Sequence, residues 1–169
     1  MMPYPPLPAH LQPFFEFRGF ETVRIDGLRV GLVVGARIRY LPVTDTPHYA
    51  FARQELAADP VRLVYGYADY SHYARVTGQP RGEESFVTLI KSIVEHGYRW
   101  RTDPILVMRS WRRLWPVNGW DVADGFHRLA VLAALNVWHI RVGTLRRSRI
   151  RAFQGIVDSL SSGGHGREC

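Results

Sequence analysis

Cysteine is almost missing from this chain: of 169 residues only Cys169, the last, is one. An internal disulfide is therefore excluded, as is a metal centre built on a cysteine pair. A redox role is not expected of a thiol far from any structured electropositive setting. Lysine is equally scarce. Of 22 basic residues only Lys91 is a lysine, so nearly every positive charge is a guanidinium that meets carboxylate or phosphate as a planar fork. No apolar run reaches the length of a membrane-spanning helix, and the opening Met-Met-Pro-Tyr-Pro-Pro-Leu-Pro lacks the charge-then-apolar layout of a secretion signal. A cytoplasmic location with no membrane partner is expected. With 46% apolar residues the chain is long and apolar enough to bury one core.

The charge is unevenly spread. Residues 1–98 carry ten basic and ten acidic side chains, whereas residues 99–169 carry twelve and five, so the whole excess of +7 belongs to the C-terminal part. Either the composition simply favours arginine, or an anionic ligand or nucleic acid is held there by guanidinium forks.

Residues 1–27 read as an N-terminal arm. Five prolines within the first twenty residues rule out a regular helix, and Phe14, Phe15, Phe17 and Phe20 are suited to packing on the body. Residues 28–160 read as a single domain and residues 161–169 as a disordered tail. Leu28 to Val43, interrupted by Gly31 and Gly35, predicts one or two strands with a bend at the glycines. Pro47 behind Thr46 starts a short helix to about Leu56. Val61 to Thr77 carries Tyr65, Tyr67, Tyr70 and Tyr73 at spacing that fits a helix only in part; these rings either pack a helix on the sheet or line a substrate pocket. Phe86, Leu89, Ile90 and Ile93, with acids before them and Gly97 after, predict an amphipathic helix. Strands are predicted at Pro104 to Met108, Gly119 to Ala123 and Trp138 to Leu145, with a basic, tryptophan-bearing connection over Arg109 to Asn118. A final helix follows Arg146, Arg147, Arg149 and Arg151 and runs to about Leu160. The fold class expected is α+β, a small mixed sheet packed by helices.

The most informative stretch is Asp124 to Asn136. Asp124 reads as an N-cap; Leu129, Leu132, Ala133 and Leu135 recur at helical spacing; Asn136 closes the helix. Its first turn holds His127 and Arg128, although cations at a helix N-terminus are unfavourable by about 0.3–1 kcal/mol. An anion on that turn reverses the sign. Gly125 would let it approach the backbone N–H groups, and Arg128 offers a fork to phosphate oxygens.

Ser92-Ile93, Gly97-Tyr98, Pro104-Ile105-Leu106-Val107 and above all Asp124-Gly125-Phe126-His127-Arg128-Leu129-Ala130 resemble the N-terminal domain of ParB and the sulfiredoxin-like fold that it shares. The resemblance covers about residues 83–145 and is nearest in logic to the free serine kinases. It implies nucleotide binding at the helix N-terminus (CTP in partition proteins, ATP in sulfiredoxin, ADP or ATP in the serine kinases), with Gly125, Phe126, His127 and Arg128 on the phosphate and Asp124 at the strand end. The chain departs from each branch. Phe126 stands where sulfiredoxin has its cysteine, which excludes sulfinic acid reduction. Residues after Leu145 leave no room for the helix-turn-helix and dimerisation domain of a partition protein. Where the serine kinases place a catalytic glutamate, this chain reads Leu41-Pro42-Val43-Thr44-Asp45-Thr46-Pro47-His48-Tyr49.

The function expected is therefore phosphoryl transfer from ATP or ADP, or CTP, to the hydroxyl of a small metabolite, of the kind found in bacterial-type metabolism. A magnesium ion would arrive with the nucleotide. Candidate catalytic residues are Asp45, His48, Asp124 and His127. Asp45 either deprotonates the acceptor or caps the Pro47 helix, His48 is either a catalyst or a structural histidine, and Asp124 either meets magnesium or the acceptor or caps its helix; the cap and metal roles are compatible. Two alternatives stand beside the kinase reading: a non-catalytic nucleotide-binding or interaction protein, and a ParB-like nucleic-acid-binding or nuclease module resting on the C-terminal arginines and tryptophans.

Overall fold

Leu28, Val30 and Leu32 are buried and alternate with half-buried neighbours, and this period of two places all three on one face of a strand. A computed structural model describes residues 5–57, 69–78, 82–110 and 119–148. In it strand β2 (Leu28–Val34) turns back through Gly35 into β3 (Arg37–Pro42), with Val34 opposite Arg37. Gly35 adopts φ 58°, open to a residue without Cβ. The glycine-interrupted stretch is thus a hairpin, the two-strand form of the sequence expectation.

Ten residues of the proline- and aromatic-rich arm are themselves a strand. β1 (Phe15–Arg24) runs antiparallel to β6 (His139–Arg147) from Phe15 opposite Arg147 to Arg24 opposite His139, with a bulge between Phe17 and Gly19. Between them and the hairpin lie β4 (Leu106–Arg109) and β5 (Trp120–Asp124), giving a six-stranded mixed sheet of order β1-β6-β4-β5-β2-β3.

Four helices are described: α1 (Pro47–Ala57), α2 (Tyr70–Thr77), α3 (Glu83–His96) and α4 (Phe126–Ala134). α3 has Glu83 and Glu84 in its first turn, His96 in its last and Gly97 after it at φ 75°, and it buries Phe86, Ile90 and Ile93. α2 is started by Asp69, whose carboxylate accepts the His72 N–H at 2.7 Å. α4 is buried along Leu129–Leu132 and at Ala134, almost all round, while Leu135 is left exposed at its end. That burial makes it the central helix, packed by α1 and α3. Asn136 at φ 59° ends it, and the Val137 N–H returns to the Leu132 carbonyl at 3.0 Å.

The core has two parts. The helices and one sheet face enclose the larger, while Leu7, Leu11, Phe15 and Phe17 cover Leu106, Met108 and Leu145 on the other face. The arm is therefore what keeps that second face from water. No helix among the described residues is long and apolar enough to cross a membrane. The connection over Arg109 to Asn118 beyond Ser110, the Tyr65 and Tyr67 part of the tyrosine-rich segment, the final helix and the tail lie outside the described residues.

At Gly143 of β6 an added Cβ would stand 2.7 Å from Phe17 Cε2 and 2.8 Å from Leu106 Cδ2. Gly143→Ala is expected to destabilise the fold by about 1–3 kcal/mol through overpacking. Urea denaturation of the single and double variants checks it: in a Phe17→Ala background, where the ring has gone and only the Leu106 contact remains, the same change should cost less.

Candidate functional site

β5 ends on Asp124, and the chain reaches α4 through a single residue, Gly125, at φ 90° and ψ 25°. Sequence reasoning placed Asp124 as the N-cap; in the structure Gly125 holds that position, and no side chain caps the helix. The first-turn N–H groups, which lack partners within the helix, are therefore met by no capping side chain. Asp124 accepts instead from Arg128 Nη2 at 3.0 Å, one turn further on.

Arg128 is the organising side chain. It makes a second ion pair with Asp103, and its Nη2 donates to the Pro104 carbonyl at 3.2 Å. Its Nε is buried with no acceptor. The guanidinium lies on the backbone of Gly125, where a Cβ would come within 3.0 Å of Nη2, 3.1 Å of Nε and 3.1 Å of the Ile105 Cα. Gly125 is thus required twice, by its φ and by this approach. The bare glycine that sequence reasoning reserved for an incoming anion is faced by the protein's own guanidinium.

His127 turns inward. Its Nε2 shares a hydrogen bond of 2.6 Å with the Tyr70 hydroxyl, and its ring meets Phe86 at 4.7 Å and His48 at 4.8 Å, both nearly perpendicular. His48, in the first turn of α1, is 2% exposed and also touches Tyr70 at 5.3 Å and Tyr73 at 5.1 Å. Neither of its ring nitrogens has a hydrogen-bond partner. Burial, and to a lesser degree the neighbouring His127, pushes its pKa down to about 3. His48 is therefore uncharged at neutral pH and a very weak base, which suits it to accept or donate one hydrogen bond rather than to take a proton.

Asp45 ends a 3₁₀ turn, Val43–Asp45, that packs on α4. Its carboxylate is exposed and takes a bond of 3.3 Å from the Thr44 hydroxyl. It does not cap α1: the Thr46 hydroxyl accepts the Tyr49 N–H at 3.3 Å and donates to the Val43 carbonyl at 2.7 Å. Phe126, half-buried, packs on the main core.

The structure thus brings the sequence candidates together in two groups. Asp124, Gly125 and Arg128 form the turn and its ion pairs; His48 and His127 share a ring cluster beneath it; Asp45 stands at the surface nearby. Sequence reasoning missed Asp103, whose only signal is its place just before the Pro104 strand, and Phe86, which reads as ordinary helix core. Among the described residues no three His, Cys, Asp or Glu side chains are grouped so as to hold a metal ion.

The buried imidazole makes a pH dependence. Below about 6.5 the unfolded chain protonates His48 while the folded chain cannot until about pH 3. Stability from this residue is thus complete above pH 6.5 and falls, at up to about 1.4 kcal/mol per pH unit, as the pH drops between the two values. In urea unfolding at pH 7, 5.5 and 4.5, His48→Phe is expected to flatten this fall. Because it also removes two buried groups that lack partners, it should leave stability at pH 7 equal or higher. Comparison with family models, with curated proteins and with solved structures gives no match.

Proposed function

We propose that the chain binds the phosphates of a nucleotide, ATP or ADP, at the start of α4 and passes a phosphoryl group to the hydroxyl of a small metabolite. One observation carries the reading: an uncapped helix N-terminus and the acceptor-free Nε of Arg128 lie at the same turn. No N-cap side chain meets the helix start, a guanidinium stands beside it, and a phosphate supplies several acceptor oxygens at once. The strand–turn–helix context of Asp-Gly-Phe-His-Arg and the mixed α+β architecture support a ParB/sulfiredoxin-like fold for this chain.

Arg128 is already paired, so the phosphate enters by exchange. The Asp103 side chain is 61% exposed against 15% for Arg128, so Asp103 is the member of the pair that water and an incoming anion reach. A hydrogen bond from a guanidinium to phosphate contributes about 1.5–3 kcal/mol. In the proposed exchange phosphate displaces the more exposed Asp103 while Asp124, 34% exposed and one turn away, keeps its hold on Arg128. In this reading Gly125, Phe126 and His127 supply the backbone of the cradle and Arg128 the fork. Asp124 would meet a magnesium ion brought by the nucleotide, and that ion would neutralise phosphate charge. The acceptor oxygen forms its bond to phosphorus as the bond to the nucleoside diphosphate, or monophosphate when ADP is the donor, breaks. Asp45 takes the hydroxyl proton, His48 being too weak a base for it. A non-catalytic nucleotide-binding protein is the second reading, favoured by the burial of His48, which leaves that imidazole a very weak base.

Calorimetry with Mg·ATP and Mg·ADP tests the seat. Arg128→Lys keeps the charge but loses the fork and should weaken binding by about tenfold or more. Asp103→Asn frees the fork and should tighten it. An affinity unchanged in both variants would contradict the assignment. Transfer to pooled amino acids, sugars and cyclitols, abolished by Asp45→Asn, separates the enzyme from the binding protein.

A further inference from the structure

A concave site lies at the C-terminal end of α4. A groove of about 480 Å³ opens between the C-terminal ends of α3 and α4 and the start of β6. That size falls in the range of small-molecule sites, about 300–1,000 Å³. Ile93, Leu132 and Ile140 give it an apolar floor, and Leu135 and Val137, each 37% exposed, continue the apolar surface to the rim.

The polar side of the groove is cationic. Trp100 forms one wall, held edge-on by Phe20 at 5.1 Å. The Arg141 guanidinium lies over its ring at 4.5 Å and that of Arg101 at 4.9 Å. Stacking on Trp100 leaves the N–H groups of Arg141 to a ligand. No acidic residue lines the groove, and Arg141 has no ion pair among the described residues. The tyrosine in the lining, Tyr98, has its hydroxyl committed to the Ile105 N–H at 2.6 Å. The helix ends bordering the groove carry partial negative charge, so an anionic head belongs at Arg141 and an uncharged body against the helices.

We propose that this groove binds a single-chain amphiphilic carboxylate of the fatty-acid type, with its tail on Ile93, Leu132 and Ile140 and its carboxylate on Arg141. The site is separate from the turn at Gly125 and stands whether or not a nucleotide binds there.

Titration calorimetry of the full chain with decanoate and with decanol, both below micellar concentration, tests the proposal. Decanoate should bind saturably, one per chain, and decanol about tenfold or more weaker, the difference of one charge-assisted hydrogen bond. Each methylene added to the acid should tighten binding by up to about fourfold. Arg141→Gln, at an exposed strand position, should bring decanoate down to the level of decanol while decanol itself is unchanged. Val137→Glu at the rim should weaken decanoate. Heat without saturation, or an Arg141→Gln variant that still prefers the acid, would overturn the proposal. Neither result bears on nucleotide affinity, which is read with Arg128 variants.

Discussion

The guanidinium of Arg128 laid on the backbone of Gly125 is the contact on which the rest of the site depends. It joins three pieces of chain: the approach to β4 through Asp103 and Pro104, the end of β5 through Asp124, and the first turn of α4 itself. A side chain at position 125 would collide with it and with the Ile105 backbone. The glycine, in turn, supplies the left-handed step that lets a strand pass into a helix across one residue. A cation at the positive end of a helix is unfavourable by about 0.3–1 kcal/mol, and the two carboxylates offset that. The two ion pairs balance the turn without a ligand, so a phosphate bound there, as proposed, would replace one of its own acids.

Beneath the turn, His48, Tyr70, Phe86 and His127 bring one ring from each of the four described helices into mutual contact. Phe51 stacks on Phe86 at 5.2 Å and continues the cluster. This is a core with two imidazoles in it. Ordinary cores exclude such groups because burial without partners costs free energy, and His48 has none. The cluster connects the helix start to α1, so a ligand that draws His127 or Tyr70 changes the surroundings of His48 as well.

Much of the fold was legible because its signals are local. The hairpin follows from Gly35 between apolar runs, whereas Gly31, where a bend was also expected, stays inside β2 opposite Tyr40; α3 follows from Phe86, Ile90 and Ile93 between acids and Gly97. β5 and α4 follow from an apolar run meeting a helical one at Gly125. What was not legible depends on contacts distant in sequence. Phe15 to Arg24 reads as an arm because nothing local shows that β6 will pair with it. Asp124 has the chemistry of an N-cap, and only the position of Arg128 shows where its carboxylate goes. His127 was placed facing a ligand from its position in the helix, yet its direction is set by Tyr70, a residue 57 positions away. Asp103 carries no motif at all. The site's members could be named from the sequence; their partners could not.

Backbone amide shifts of the ¹⁵N-labelled chain, followed by NMR while Mg·ATP is added, measure the central claim most directly. Phosphate held at the start of α4 predicts saturable shifts at Phe126, His127 and Arg128, with the Arg128 Nε–H signal moving alongside them. No saturable change at those four groups, or changes confined to other parts of the chain, would contradict it.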